Sequence, residues 1–346
     1  MSINISTKNW GIFGDKEVCL FKLENSSGAY VELTNYGAGI VSIVVPDKNG
    51  KLEHVVLGFN ELAGYLDDKC YLGSSIGRFA NRIGNAGFAL NGQQYNLEAN
   101  DMGNSNHSGT SGCHTKVFDF ITQGDTIVFS LDLPDGEGGF PGNLKLNISY
   151  QWTEENQLKI NYRAICDKDT IANFTNHAYF NLSGERENIL DHTLSLNAGQ
   201  LLETNEQYIP TGKIIDSRNW LFTNNKIADK LREAEISGFN QYYILNNTDV
   251  ATPAAVLDHK KSGRRLSVYT TYPGLMFYTG DHLTSTYPGK TSKYYQCFDG
   301  LCLECQLYPD APNHSSFPTA VLKRGMHYDE QIIYQFSTLT DAEQNI

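Results

Sequence analysis

The feature that most constrains the fold of this chain is a recurrence of short runs rich in β-branched and aromatic residues. The clearest runs are AYVELT, GIVSIVVP, HVVLGF, TIVFSLDL, LKLNISYQW, QLKINYRAI and RRLSVYTT. Turn-forming clusters separate them at residues 47–50, 90–93 and 134–139, which is the pattern of antiparallel strands joined by tight turns. Helical patterning is confined to residues 60–66 and 225–234, too little for βαβ alternation. The sequence therefore predicts an all-β fold with few short helices.

No low-complexity linker, long charge run or internal repeat divides the chain. Large β domains often exceed 200 residues, and the 12% aromatic content with 31 glycines suits a strand-rich, tightly turned core. We expect one domain over residues 1–346.

The net charge of -12 argues against nucleic acid or an anionic membrane as a partner, because both require a basic surface. No stretch approaches the roughly 18 apolar residues that span a bilayer, and the N-terminus lacks the pattern of a signal peptide. Seven cysteines, an odd number spread over a long chain, suit reduced thiols. We expect a cytoplasmic monomer or homodimer that acts on a small neutral molecule.

A glycine-rich segment at residues 77–84 carries Arg78 and Arg82, and His107 follows in residues 104–109. Guanidinium groups beside glycines are suited to binding sugar hydroxyls, although such arginines often form surface ion pairs instead. The glycine spacing fits neither a P-loop nor a dinucleotide fingerprint. His107 and His114 have no third ligand at recognisable spacing, so we expect neither a metal nor a cofactor.

His177 lies in the segment NFTNHAYFNL, residues 173–182. If this segment is a strand, alternation separates two faces: Phe174, Ala178, Phe180 and Leu182 on one, and Thr175, His177, Tyr179 and Asn181 on the other. His177 is therefore expected on the polar face.

Glu304 lies in the segment LCLECQLYPDAPN, residues 301–313. Alternation places Glu304 on one face with Cys302 and Gln306. A carboxylate within an uncharged strand is costly to bury unless it is paired or used, whereas an exposed sheet face is the alternative that needs no explanation. Cys302 and Cys305 form a C-x-x-C that we interpret as structural thiols.

A carboxylate and a histidine suffice for the exchange of sugar anomers. The reaction removes the proton of the C1 hydroxyl while the ring oxygen gains one, and neither metal nor redox cofactor is required. Glycoside hydrolysis normally needs a second carboxylate. The nearest candidate, Asp310, follows Pro309 in a predicted turn, where Asp commonly caps its own backbone.

Ordered motifs along nearly the whole chain resemble the aldose 1-epimerase (galactose mutarotase) family. They are LTNYGA at 33–38, VLGF at 56–59, GRFANRI at 77–83, PDGEGGFPGN at 134–143, TNHAYFNL at 175–182, PGLMFYTG at 273–280, and LECQ with PDAPN at 303–313.

The resemblance implies a β-supersandwich of many antiparallel strands with an open sugar cleft. It assigns the general base to Glu304 and the general acid to His177, and substrate binding to Arg82 and His107. The further substrate-binding candidates within the similar segments are Asn81, Asn240 and Gln306.

The chain departs from the family pattern where a G-x-D-H is usual, because it has Asn240 and Gln241 there. Asn keeps hydrogen bonding but loses the strength of a charged acceptor. The change suggests a shift in preferred sugar, for example towards a reducing disaccharide such as maltose. A noncatalytic sugar sensor with the same fold, and a glycoside hydrolase or lyase, are the alternative functions.

Overall fold

The computed structural model describes residues 3–216 and 220–340. The first part of the chain forms five strands and a short helix: β1 (Asn4–Phe13), β2 (Lys16–Glu24), β3 (Tyr30–Thr34), β4 (Gly39–Pro46), β5 (Leu52–His54) and α1 (Leu62–Asp67). The strands that follow are short up to the first long hairpin: β6 (Ser75–Ile76), β7 (Arg82–Ile83), β8 (Gly87–Leu90), β9 (Gln93–Asn96), β10 (Ser105–Asn106), β11 (Asp119–Gln123) and β12 (Thr126–Leu133).

The middle of the chain continues with two long strands and several short ones: β13 (Leu144–Trp152), β14 (Gln157–Cys166), β15 (Thr170–Ile171), β16 (Thr175–Asn176), β17 (Tyr179–Phe180), β18 (Thr193–Leu196), β19 (Ala198–Thr204), β20 (Pro210–Asp216) and β21 (Thr223–Lys226). The last elements are α2 (Ile227–Ala234), β22 (Asn240–Leu245), β23 (Ala255–His259), β24 (Arg264–Thr270), β25 (Gly274–Tyr278), β26 (Leu301–Gln306), β27 (Val321–Leu322) and β28 (His327–Thr338).

Most strands belong to three antiparallel sheets. A nine-stranded sheet has the order β11-β12-β13-β14-β28-β24-β23-β18-β21, a six-stranded sheet the order β17-β26-β25-β22-β19-β20, and a five-stranded sheet the order β1 to β5. The sheets share one core cluster of apolar side chains, which includes Phe21, Tyr150 and Leu303. The predicted all-β class, with few short helices, is confirmed.

Side-chain alternation explains how the nine-stranded sheet covers the core. In β13 the residues alternate between buried and more exposed positions, and β14 pairs with it in register. By contrast, every residue of β26 is buried, because this strand lies inside its sheet with both faces covered. Any polar side chain on β26 is therefore held away from bulk water.

Two strand predictions fail for related reasons. In the run at 54–59, His54 ends β5, and the rest forms only isolated bridges, Val56 to Phe180 and Phe59 to Gly289. The segment 173–182 is not one strand, because its pairing is limited to β16 and β17, which bind different neighbours. All ten of its residues are buried, so its two predicted faces do not differ in exposure.

In the part of the chain that the structure describes, none of the helices has the length and apolar character needed to cross a membrane.

Candidate active site

A cavity of about 310 Å³ is bordered by residues of four strands of the six-stranded sheet, β17, β22, β25 and β26. Its wall is mostly polar and aromatic and comes from segments distant in sequence: Lys69, Cys70, Tyr71, Asn81, Arg82, Asn100, Asp101, Asn106, His107, His177, Tyr179, Tyr208, Asn240, Tyr278, His282 and Glu304. Six of the seven residues predicted to act on substrate lie in this wall.

Glu304 is held on β26 opposite Met276 of β25 and is only 3% exposed. The alternative of an exposed sheet face is therefore wrong. Its Oε2 atom has no hydrogen-bond partner among the described residues. Burial raises the pKa of Glu304 to about 8, against a smaller lowering by the charge of Arg82. A carboxyl group of this kind holds or releases a proton near neutral pH.

His177 lies between β16 and β17, and its backbone is fixed on both sides. Its N–H donates to the carbonyl of Ser74 (2.9 Å), and its carbonyl accepts from Gly73 (3.0 Å). Gly73 has φ of +67°, and a Cβ there would lie 1.9 Å from the Ile40 carbonyl oxygen, so only glycine fits. The His177 Nε2 atom lies 3.8 Å from Glu304 Oε1. Burial lowers the pKa of His177 to about 4.

His107 and Asn81 are locked together by backbone conformation. Both have positive φ, +53° and +67°. The Asn81 N–H donates to His107 Nδ1 (3.1 Å), and the His107 N–H donates to the Asn81 carbonyl (3.2 Å). Because Nδ1 accepts a hydrogen bond, Nε2 of the neutral ring carries the proton and is a donor. Burial and the neighbouring positive charges keep the pKa of His107 well below its usual value.

Arg82 is positioned by an ion pair and an aromatic ring. Its Nε donates to Asp101 Oδ2 (2.7 Å), and its guanidinium lies over the Tyr208 ring at 5.1 Å. The other arginine of the same motif, Arg78, points into the core and donates to the carbonyls of Leu133 (3.0 Å), Pro141 (2.8 Å) and Gly142 (3.0 Å). The surface ion-pair alternative is thus wrong for Arg78, which is a buried structural group.

Asn240 begins β22 opposite Tyr278 and reaches the cavity wall. Gln306 does not reach it. Its side chain is fully buried, and neither its Oε1 nor its Nε2 has a partner among the described residues.

Asp310 also differs from expectation, because it does more than cap its own turn. Its Oδ1 atom accepts from the N–H of Gly84 (2.9 Å) and from Asn313 Nδ2 (2.7 Å). The Asp310 N–H donates to the Arg82 carbonyl (2.9 Å). The turn after β26 is thereby tied to the strand that carries Arg82. Asp310 does not line the cavity, so it is not the second carboxylate that glycoside hydrolysis requires.

Four tyrosines line the cavity, and the sequence patterns singled out none of them as a site residue. The Tyr71 ring packs on His107 and His177, with ring centroids 4.7 and 5.6 Å apart. Tyr71 and Tyr208 lie outside every motif quoted above and gave no signal. Tyr179 and Tyr278 do lie within those motifs, where the residue type gave no reason to select them.

His107, His177 and Glu304 place ligand atoms within 4.8 Å of one another, which is close enough for a metal ion. The hydrogen bond that His107 Nδ1 accepts opposes this use, because both ring nitrogens are then engaged: Nδ1 accepts, and Nε2 carries the proton and has no free lone pair for a metal. The lack of a metal therefore stays a prediction, and the hydrogen bond from Asn81 to His107 supports it.

A large antiparallel β assembly here holds a buried carboxylate beside imidazoles in a polar, tyrosine-lined cleft, which supplies the acid and base groups that an isomerase of free sugars requires. The family model "Aldose 1-epimerase" matches residues 20–335. Galactose mutarotase from Bos taurus is 37% identical over 94% of this chain and 97% of its own length. Aldose 1-epimerase from Escherichia coli (strain K12) is 33% identical over 92% of this chain and 94% of its own.

A solved structure agrees with the sequence relatives. The aldose epimerase homologue from C. elegans superposes with a TM-score of 0.88 at 28% identity, over 93% of this chain and 99% of its own. The chain belongs to the aldose 1-epimerase family, and it interconverts the anomers of aldoses. The sensor alternative finds no support among these relatives.

Proposed function

We propose that Glu304 is the general base and His177 the general acid of anomer interconversion. The observation that carries this assignment is the 3.8 Å separation of Glu304 Oε1 and His177 Nε2 in the wall of one cavity. Two groups this close reach adjacent atoms of one sugar, such as the C1 hydroxyl and the ring oxygen.

The proposed reaction begins when the Glu304 carboxylate takes the proton of the C1 hydroxyl. The C1–O5 bond breaks as the C1–O1 bond becomes a carbonyl, and O5 takes a proton from the His177 imidazolium. Rotation about C1–C2 turns the other face of the aldehyde towards O5. Closure reverses both transfers, so O5 returns its proton to His177 and the new C1 oxygen regains one from Glu304.

The pair needs one proton in total throughout this cycle. Burial disfavours the carboxylate and the imidazolium alike, so the proton lies on Glu304 in the free enzyme. The charge of Arg82 favours the carboxylate. Bound sugar hydroxyls that donate to Glu304 favour it further, and the proton then moves to His177.

We assign substrate binding to Arg82, His107, Asn81 and Asn240, because all four line the cavity. His107 offers a fixed Nε2–H, and Arg82 offers its terminal nitrogens beyond the Asp101 pair. Asn240 supplies both a donor and an acceptor to a hydroxyl. Gln306 is outside this set because it is buried away from the wall.

We further propose that reducing disaccharides are substrates as well as monosaccharides. A second cavity of about 250 Å³ shares Lys69, Tyr71 and Asn100 with the first. It supplies room and hydrogen-bonding groups for a second sugar ring beyond the one held at Glu304.

Polarimetry of freshly dissolved α-glucose, α-galactose and α-maltose tests the activity and its sugar range. Acceleration over buffer is expected for each. Glu304→Gln should lower kcat by on the order of 1,000-fold or more, because an amide does not accept the proton. Glu330→Gln is the control, since Glu330 on β28 is half-buried, accepts a hydrogen bond from Thr271 just after β24, and lies outside the cavity wall. Full activity of Glu304→Gln would refute the base assignment.

We place this activity in the cytoplasm, in one domain that works as a monomer or homodimer. The seven cysteines are all free, which suits a reducing compartment. The last strand, β28, pairs with both β14 and β24, so the nine-stranded sheet joins the middle and the end of the sequence, which supports one domain. Light scattering after gel filtration measures the oligomeric state.

A further inference from the structure

Gln306 lies two residues after Glu304 on β26, so both side chains lie on the same face of this strand. The Gln306 backbone is fixed, because the Tyr242 hydroxyl donates to its carbonyl at 2.9 Å. Its side chain is fully buried, and neither Oε1 nor Nε2 has a hydrogen-bond partner among the described residues. Buried polar groups in folded proteins nearly always have a partner, which is either protein or ordered water.

The segment that carries His177 runs antiparallel to β26, and its register is fixed at two points. Tyr179 pairs with Cys302. Two residues earlier, His177 Nε2 lies 3.8 Å from Glu304 Oε1, two residues later on β26. Each step back along this segment is therefore a step forward along β26.

The same register places Thr175 beside Gln306. Further along, the Leu307 N–H donates to Asn173 Oδ1 at 2.8 Å, which keeps the two segments together beyond this point. Residues 175–177 run antiparallel to residues 74–76, so Thr175 and His177 point to the same side. Thr175 is fully buried, and its Oγ1 has no partner among the described residues.

Glu304 completes this group, because its Oε2 also lacks a partner among the described residues. Three neighbouring buried side chains thus carry four unpartnered atoms: Glu304 Oε2, Thr175 Oγ1, and Gln306 Oε1 and Nε2. Side chains at such positions on paired strands are close enough for water to bridge them. The hydroxyl and the amide NH₂ donate, and the amide oxygen and the carboxylate accept, which is a mixture that water satisfies.

We propose that an internal site for ordered water lies between Thr175, Gln306 and Glu304 Oε2, and that Thr175 and Gln306 act through it as positioning residues for the carboxyl group. The proposal rests on the proposed role of Glu304 as general base. With Oε2 held by water, Oε1 is left to face His177 and the sugar. An O–H group directed at Oε2 also favours the carboxylate over the acid, which the base step requires.

A high-resolution crystal structure of the wild-type enzyme tests the water site directly. We expect solvent density within hydrogen-bond distance of Glu304 Oε2 and of Thr175 Oγ1 or the Gln306 amide. Direct hydrogen bonds among the three side chains, or no density between them, would overturn the proposal. This measurement requires no variant to fold.

Kinetics test the positioning role. Thr175→Val removes the hydroxyl and Gln306→Leu removes the amide, and each should lower kcat roughly 10-fold with KM within about twofold. Each should also move the fall in kcat/KM above about pH 8 to higher pH, because a lost donor raises the pKa of Glu304 further. Thr175→Ser should keep most of kcat, since it retains the hydroxyl.

These variants leave the titratable groups around Glu304 in place, so a shift of the pH profile reports the lost hydrogen bond. The groups are Arg82, His107, His177, Cys302, Cys305 and Tyr334. Thr270→Val is the matched control, because it removes a similarly buried hydroxyl that donates to the Gln331 carbonyl at 2.8 Å. It should keep both kcat per folded molecule and the pH profile, and equal kcat values for Thr175→Val and this control would refute the positioning role.

The double variant Thr175→Val/Gln306→Leu separates a shared water site from two unrelated packing defects. If both residues hold the same water, the double variant should lose little more kcat than either single variant. Losses that multiply to roughly 100-fold would refute the shared site. A rise in KM without a fall in kcat in Gln306→Leu would refute it as well, because Gln306 would then bind the sugar itself.

If Glu304→Gln keeps its activity, the proposed base role of Glu304 fails instead, while the solvent density still reports on the water site. The two failures are therefore distinguishable.

Discussion

At the scale of single residues, the site depends on two side chains whose charged forms are both disfavoured by burial. Glu304 is shifted towards its neutral acid and His177 towards its neutral base. The two groups thus behave as a unit that holds one proton over a wide pH range.

This unit predicts a bell-shaped pH dependence of kcat/KM. Below about pH 4 the pair holds two protons, because His177 is protonated beside the neutral Glu304 acid, and no base remains. Above about pH 8 the pair has lost its shared proton, and no acid remains. Activity should therefore fall on both sides of a plateau between these values, as measured by initial rates across buffers. A rate that keeps rising above pH 9 would contradict the shared proton.

Arg82 provides a check on the upper limb of this profile, which is the fall in kcat/KM above about pH 8. Its charge lowers the pKa of Glu304, so Arg82→Gln should move the upper limb to higher pH as well as reduce the rate. Arg163→Gln is a suitable comparison, because Arg163 is an exposed partner of Asp329 on the nine-stranded sheet. An unchanged upper limb in Arg82→Gln would mean that this charge does not reach Glu304.

At the scale of elements, the glycine-rich segment at 77–84 performs two separate tasks with two arginines. Arg78 ties β12 and the loop at 141–142 to the core through three carbonyls, whereas Arg82 faces the cavity. The sequence predicted that the segment matters but did not separate these tasks, since both residues are arginines beside glycines.

Substitution of the two arginines should therefore separate stability from binding. Arg78→Gln leaves buried carbonyls without donors and should lower the free energy of unfolding by about 3 kcal/mol, with KM of the folded fraction unchanged. Arg82→Gln should raise KM roughly tenfold or more, because a charge-assisted donor is lost, with little change in stability. Urea denaturation and polarimetry on both variants measure the two effects. Equal losses of stability would contradict the division of tasks.

Strands with one buried face are the elements whose bounds the local sequence predicts well. Long alternating runs such as β13 and β14 were predicted nearly to the residue, because their period-2 pattern has one buried face. Residues 55–59 and the segment 173–182 were not, because they are buried and pair only over one or two residues at a time. Their apolar composition reflects burial, which local pattern does not distinguish from strand pairing.

At the scale of the whole molecule, the site exists only because distant segments converge. Residues near 71, 82, 107, 177, 240 and 304 meet in one cavity. Motif resemblance selected most of the polar members, but strand alternation placed only Glu304 and His177 on candidate faces. Tyr71 and Tyr208 join the wall through three-dimensional packing, so they were absent from the sequence-based prediction.

Convergence also joins the two neighbouring cavities, and this leads to a prediction about substrate size. Leu66 is 39% exposed and lines only the second cavity, so Leu66→Trp should obstruct a second sugar ring while leaving Glu304 and His177 untouched. The ratio of kcat/KM for α-maltose to that for α-glucose should fall by roughly tenfold or more, since a blocked subsite loses at least one hydrogen-bonded contact. Leu52→Trp is the matched control, because Leu52 is 38% exposed on β5 and lines neither cavity. Turnover of α-glucose in both variants shows whether the site at Glu304 is intact. If it is, and the Leu66→Trp ratio equals that of Leu52→Trp, then the second ring of a disaccharide lies outside the second cavity.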